Sequence, residues 1–339
     1  MNYQVALQFE DGVTRIIECA PGEKLSDAAY RQQVNIPLDC RDGACGTCRG
    51  HCESGNYDMP ESSYIEDALT PEEAEQGYVL ACQMKPNSNC VVQIPASSAV
   101  CKAAAGQFKS RVASVNMLSP STIEFTLDLK GNKALGFLPG QYAKVNIPGS
   151  AMSRAYSFSS ISGAERASFV VRNVPQGKMS EYLTALAKPG DEVAFEAPFG
   201  SFYLRPITRP TLFLAGGTGI APFLSMLATL TPDTLSHPLL LVYGVTRDED
   251  LVGLQALEMA KEKLPLFSFK FCILDTQRDD VLKGYVTQHV DSDWLKGGEY
   301  DTYLCGPVAM VDAVRKWQEE SALGCKNFYF EKFSASSEA

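Results

Sequence analysis

The chain has 339 residues, 45% hydrophobic and 21% charged, which is room for two or three globular domains with sizeable cores. Its net charge of −10 is uneven: residues 1–96 hold 15 Asp/Glu against 6 Lys/Arg, a net of −9, leaving −1 for the rest. An acidic first third argues against nucleic acid as a partner. With no apolar run of about 18 residues and no signal-like opening, a cytoplasmic protein without a membrane span is expected.

Residues 3–9 and 14–19 read as paired strands around Asp11-Gly12, a strong hairpin signal. Pro21-Gly22 breaks the chain, and Leu25, Ala28, Ala29 and Val34 suggest one apolar stripe on a helix starting near Ser26. Then comes Cys40-Arg-Asp-Gly-Ala-Cys45-Gly-Thr-Cys48, followed by Cys82 after 33 residues. This C-x4-C-x2-C spacing with a distant fourth cysteine is the plant-type pattern by which four thiolates hold a 2Fe–2S cluster. Gly43, Ala44, Gly46 and Thr47 let the backbone fold closely around it and aim amides at its sulfides. Disulfides and a zinc site are the alternatives, although zinc more usually shows two CxxC units and only one occurs here. Cys19, Cys52, Cys90, Cys101, Cys272 and Cys325 read as plain buried or surface thiols without an assigned role.

Arg49–Glu53 fits a short strand, Pro71 opens a short acidic helix, and residues 78–81 and 91–94 complete a small mixed sheet. Residues 97–106 are small and without a sustained apolar period, so they read as a linker. Strand-like runs at 109–115, 123–129, 142–147, 155–158, 168–171 and 192–196, punctuated by Gly and Pro, predict an antiparallel β-barrel with one helix at 179–187. From Pro210 the texture changes. Continuous apolar runs at 211–215, 239–243, 270–274 and 302–305, with helices at 221–230, 251–262 and 307–322, predict an open parallel α/β domain. The fold class is thus multidomain, α+β and α/β, with divisions at 1–96, the linker 97–106, 107–207 and 208–339; the tail 334–339 reads as loose.

Several motifs carry chemistry. Arg154-Ala-Tyr156-Ser157 places a phosphate-binding fork and a flat ring on one face of a strand. Gly177-Lys-Met-Ser180 suggests a helix start, with Ser180 as its N-cap, that offers backbone N–H groups to a pyrophosphate. Gly216-Gly217-Thr218-Gly219-Ile-Ala-Pro222 lies between a strand and a helix, where glycines let a phosphate approach the helix's positive end. Cys305-Gly306-Pro307 and Glu331-Lys332-Phe333 fall at the C-terminal ends of strands, where open α/β sheets bind ligands. Taken singly, each motif is equally consistent with packing, a helix cap or a structural turn.

Together these residues resemble the ferredoxin–NADP reductase superfamily. Arg154, Tyr156 and Ser157 match its flavin motif, and Gly177 to Ser180 its flavin-pyrophosphate turn. Gly216 to Pro222 match its nicotinamide-nucleotide loop, and Cys305 to Pro307 its nicotinamide pocket. With a plant-type ferredoxin domain first, the chain is similar to the reductase components of bacterial aromatic-ring oxygenases, and most of all to the benzoate dioxygenase branch. The resemblance implies a β-grasp ferredoxin domain. It implies that Arg154 binds a flavin phosphate, Tyr156 stacks on the isoalloxazine and Ser157 lies near N5, with Cys305 and Glu331 beside the nicotinamide. A terminal aromatic covers the flavin in such proteins; here six residues follow Phe333. It further implies FAD rather than FMN, NADH as donor and a terminal oxygenase as protein partner.

Asp248, Glu249 and Asp250 follow the second α/β strand, where an acid can hold a ribose 2′-OH and repel a 2′-phosphate. Arg247 points the other way, but the balance favours NADH, with Asp250 as the acid. The reading that follows is electron flow from NADH through FAD and the cluster to an oxygenase. The alternatives are service to anthranilate, phenol or methane oxygenases or to a deoxysugar dehydrase, or a redox sensor that does not turn over.

Overall fold

The computed structural model describes residues 2–102, 105–130, 135–291, 294, 299–320 and 325–333. The chain forms two compact units, Met1–Ala105 with Phe199–Ser201, and Gly106–Pro198 with Phe202–Ala339. The helix expected to reach 322 and the tail 334–339 extend outside the described residues.

In the first unit, β1 (Tyr3–Phe9) and β2 (Thr14–Cys19) form the expected hairpin. Gly12 takes φ +79 at its tip, a conformation that costs glycine little. Helix α1 (Leu25–Arg31) buries Leu25, Ala28 and Ala29, as the apolar stripe requires. Val34 is not part of that helix. Gln33 is left-handed at φ +60, and the Val34 N–H bonds back to Ala29 O at 2.9 Å, which ends the helix in a Schellman turn and buries Val34 beyond it. Strands β3 (Arg49–Ser54), β5 (Tyr78–Leu80) and β7 (Cys90–Ile94) complete a mixed sheet of order β2-β1-β7-β3-β5, and β4 (Tyr57–Asp58) pairs separately with β6 (Lys85–Pro86). Helix α2 (Pro71–Glu75) starts in a capping box made by Thr70 and Glu73. Of the stretch read as a linker, Ser97–Lys102 is folded onto this unit. Asp11 accepts from Ser97 Oγ and the Ser98 N–H at 3.0 and 2.9 Å, and Cys101 is buried.

The second unit begins with an antiparallel barrel. Strands β8 (Gly106–Ser119), β9 (Thr122–Asp128), β10 (Tyr142–Asn146), β11 (Ser153–Ser157), β12 (Arg166–Arg172) and β13 (Glu192–Phe199) follow the order β11-β10-β13-β8-β9-β12. The circle closes where Phe158 bridges Phe169, around a core that includes Phe125 and Phe195. Helix α3 (Lys178–Glu181) runs into one wide π turn through Leu186.

The α/β part contains β14 (Thr211–Gly216), α4 (Ala221–Thr229), β15 (Leu239–Arg247), α5 (Leu254–Lys263), β16 (Phe267–Asp275), β17 (Leu282–Lys283), β18 (Asp301–Pro307), α6 (Val308–Glu320) and β19 (Asn327–Phe333). Its six strands are parallel in the order β17-β16-β15-β14-β18-β19. Every side chain of β14 is buried, as a strand covered on both faces demands. Strand order reverses between β14 and β18, which opens a ligand crevice at their C-terminal ends.

Candidate functional site

The cysteine loop is shaped by glycine. Gly43 and Gly46 sit at φ +87 and +72, and a Cβ on Gly43 would lie 2.5 Å from Ser63 O and 2.8 Å from Tyr64 Cα. No other residue fits that position. Among the described residues, no three His, Cys, Asp or Glu side chains gather as tightly as a single-ion site requires. The thiols interact in pairs instead: Cys40 with Cys45 and with Cys82, and Cys48 with Cys82. Hydrogen bonds from Cys45 and Cys82 drive Cys40 towards thiolate, and the Cys45 and Cys82 thiols are pushed up in return. A closely paired set of four soft sulfur donors, two of them (Cys40 and Cys48) shifted towards the anion by hydrogen bonds from their neighbours, suits iron and sulfide.

Three side chains outside the cysteine motif brace this loop. Gln83 Nε2 donates to Arg41 O at 3.1 Å, which holds Arg41 in the left-handed region at φ +67, and to Cys82 Sγ at 3.4 Å. Next to Cys48, Arg49 makes a two-pronged ion pair with Glu73 at 2.7 and 2.9 Å and donates to Ala68 O at 3.2 Å. Glu73 also accepts the Thr70 N–H at 3.0 Å, so one buried carboxylate ties the loop to the start of α2. Nothing local in the sequence marks Arg49 and Glu73 as partners, since 24 residues separate them.

On the barrel, Arg154 and Tyr156 share one face of β11, opposite Val145 and Ala143 of β10. Burial pushes the Tyr156 phenol up, and neighbouring Arg154 pulls the other way. The turn before α3 differs from the expected cap. Gly177 is the N-cap, and Ser180 lies within the first turn, buried, with its Oγ accepting the Val174 N–H at 2.9 Å. The reason is the turn at Pro175-Gln176, which starts the helix one turn earlier and leaves Gln176 left-handed at φ +61.

At the crevice, Gly216 ends β14 and a 3₁₀ turn over Gly217–Ile220 leads into α4, with Pro222 in its first turn. A Cβ on Gly219 would meet Cys305 O at 2.3 Å, and Cβ atoms on Gly216 and Gly306 would meet Met310 Sδ at 2.3 and 2.9 Å. The glycines thus bring the two loops together, and Gly217 and Thr218 are left part-exposed.

Cys305 and Glu331 lie opposite one another on β18 and β19, with Gly306 opposite Lys332 and Pro307 opposite Phe333. Phe333 packs on the α/β core. Ser157 Oγ, from the barrel, donates to Glu331 Oε2 at 3.0 Å, and Cys305 Sγ lies 3.9 Å from the same oxygen. Burial and the nearby Glu331 carboxylate push the Cys305 thiol well up, so it stays neutral. Ser157, Cys305 and Glu331, which the resemblance places around the flavin N5 and the nicotinamide as the candidate catalytic residues, therefore meet at one point. Asp250 is placed elsewhere: its carboxylate accepts the Arg247 N–H at 3.1 Å and the hydroxyl of Ser121, a barrel residue that the sequence reading missed.

Three family models match in succession. They describe a 2Fe–2S iron–sulfur cluster binding domain over residues 8–87, an oxidoreductase FAD-binding domain over 109–203, and an oxidoreductase NAD-binding domain over 213–316. The chain is 50% identical over 336 residues to a toluate 1,2-dioxygenase electron transfer component of Pseudomonas putida, covering 99% of this chain and 100% of that one. It is 39% identical over 344 residues to an anthranilate 1,2-dioxygenase electron transfer component of Acinetobacter baylyi, covering 100% and 99%. Among solved structures, a ferredoxin reductase in carbazole 1,9a-dioxygenase shares the fold, with a TM-score of 0.64, 22% identity, and coverage of 98% and 99%. The chain therefore belongs to the electron-transfer (reductase) components of aromatic-ring dioxygenases, oxidoreductases of the ferredoxin–NADP reductase superfamily with 2Fe–2S, FAD and NAD domains.

Proposed function

We propose that this chain passes electrons from NADH to the terminal oxygenase of an aromatic-ring dioxygenase, benzoate being the favoured substrate. The observation that carries the reading is the meeting of Ser157 with Glu331 and Cys305, because it joins the flavin-type strand of the barrel to the nucleotide crevice. A bound FAD would supply the conversion between the two-electron hydride chemistry of NADH and the single-electron delivery that a 2Fe–2S carrier requires.

The chain's own part is to bind and orient. In this reading Cys40, Cys45, Cys48 and Cys82 would together hold the two-iron cluster. Arg154 takes a flavin phosphate, Tyr156 lies along the flavin ring, and the turn at Gly177–Ser180 meets its pyrophosphate. Gly216, Gly217, Thr218 and Gly219 admit the nicotinamide nucleotide, beside Gly306, Pro307 and Phe333. Ser157, Glu331 and the neutral Cys305 hold the reacting end and exclude water. The two arginines near the ends of β15 and β16 are each paired with acids, Arg247 with Glu249 at 3.6 Å and Arg278 with Asp280 at 2.7 Å. That pairing opposes a 2′-phosphate and favours NADH.

The proposed divisions are a ferredoxin domain at 1–96, a link at 97–106, a flavin barrel at 107–207 and a nucleotide domain at 208–339. All eleven cysteines are free, and no helix among the described residues is long and apolar enough to cross a membrane. Cysteines left out of disulfides suit a reducing compartment such as the cytoplasm. The acidic first domain suits a partner with a basic face around its own electron acceptor.

Cys45→Ser tests the route. NADH-driven cytochrome c reduction should collapse while NADH:ferricyanide activity persists; survival of cytochrome c reduction without the cluster would sink it. Reconstitution with benzoate, anthranilate and toluate oxygenases then reads the partner.

A further inference from the structure

The turn between β15 and α5 is held from three directions. Asp250 Oδ2 accepts the Arg247 N–H at 3.1 Å, the buried Tyr243 hydroxyl donates to Asp250 O at 3.4 Å, and Ser121 Oγ donates to Asp250 Oδ1. Ser121 sits in the tight turn between β8 and β9 and is itself fixed. Its N–H donates to Ser119 Oγ at 3.3 Å, and its carbonyl accepts the Asn173 N–H at 2.8 Å. Asn173 Nδ2 adds a bond to Pro120 O at 2.9 Å. The next residue, Val174, donates its N–H to Ser180 Oγ at 2.9 Å. A continuous polar path therefore runs from the nucleotide lobe, through Asp250, Ser121 and Asn173, to the turn proposed to meet the flavin pyrophosphate. Both Asp250 carboxylate oxygens are engaged there, Oδ2 by the Arg247 N–H of its own turn and Oδ1 by Ser121 Oγ of the barrel, so the carboxylate is anchored between the two lobes.

We propose that Asp250 is a positioning residue for hydride transfer rather than a ribose ligand. Through Ser121 it fixes the β15–α5 turn to the same part of the barrel that carries the flavin-phosphate loop. The two lobes thereby keep one placement and the nicotinamide meets the flavin at reacting distance. Reacting groups displaced by about 1 Å lose on the order of a hundredfold in rate, so a lobe-to-lobe bond of this kind has leverage without touching either cofactor. The assignment rests on the proposed function, and it separates two roles that an acid in this turn can have.

The test uses the FAD- and cluster-loaded full chain in anaerobic stopped flow, following flavin bleaching by NADH and by NADPH, with rates expressed per bound flavin. Ser121→Ala should lower the limiting rate about fivefold or more. The NADH dissociation constant and the NADH-to-NADPH preference should stay within about twofold of the parent. Ser121→Thr keeps the hydroxyl and should restore the rate. Asp250→Asn keeps an acceptor oxygen and should leave the nucleotide preference unchanged. The assignment is overturned if Asp250→Asn weakens NADH binding and narrows the preference, or if Ser121→Ala leaves the limiting rate untouched. A parent chain that NADH does not reduce would overturn the proposed function itself, and this role with it.

Discussion

Glu331 joins the barrel to the nucleotide crevice, and the proposed chemistry turns on it. Its carboxylate accepts from Ser157 at 3.0 Å and stands 3.9 Å from the Cys305 sulfur. Fully buried beside a carboxylate, Cys305 is a neutral packing group and not a nucleophile. Ser157→Ala removes one hydrogen bond worth about 1 kcal/mol, so flavin reduction by NADH should slow about fivefold with FAD content unchanged. Glu331→Gln should do the same or more; stopped-flow reduction checks both. Unaltered rates in both variants would separate this cluster from the chemistry. Cys305-Gly-Pro was legible as a motif, but only the resemblance implied that it lies near Ser157, because strand alternation reports faces within one sheet and nothing about the sheet opposite.

Two elements depend on close contact. The Arg49–Glu73 pair is largely buried on the Glu73 side, with side-chain exposures of 16% and 9%, and it fastens the cysteine loop to α2. Removing one partner from such a pair costs about 3–5 kcal/mol, because the other charge is left uncompensated. Glu73→Gln should therefore speed cluster loss to a chelator, read as fading visible absorption, while the flavin stays bound. At the crevice, Gly219→Ala would force a methyl to within 2.3 Å of Cys305 O, where backbone must give way. Overpacking of this sort costs about 1–3 kcal/mol, and both a lower melting temperature and a raised KM for NADH are expected.

The cysteines outside the cluster loop shape the behaviour of the whole molecule at high pH. Burial pushes Cys19 and Cys52 to about 11 and Cys101 to about 12 in the first unit, and Cys272 to about 11 in the second. A thiol whose folded value is raised above the ordinary 9.0 contributes stability that is complete below that value. The contribution is lost as pH rises through the folded value. Thermal melting should therefore weaken progressively between pH 9 and pH 12, and Cys101→Ala should flatten that decline. An unchanged pH profile in that variant would remove burial of the thiol as the cause.

Spacing and periodicity determined the local features on their own. The C-x4-C-x2-C loop, the Asp11-Gly12 hairpin, the all-apolar run of β14 and the glycine turn before α4 are written in contiguous residues, since each reflects the geometry of a few neighbouring peptides. Only the tertiary structure decided what lies between distant segments: the Arg49–Glu73 brace, the glycine contact of β14 with β18, the junction of Ser157 with Glu331, and the commitment of Asp250 to Ser121. It also moved the cap of α3 from Ser180 to Gly177, ended α1 before Val34, and folded Ser97–Lys102 onto the first unit. A side chain's type states what it can bond to, but its partner is chosen by packing, which brings together residues as far apart as Ser121 and Asp250, 129 positions along the chain.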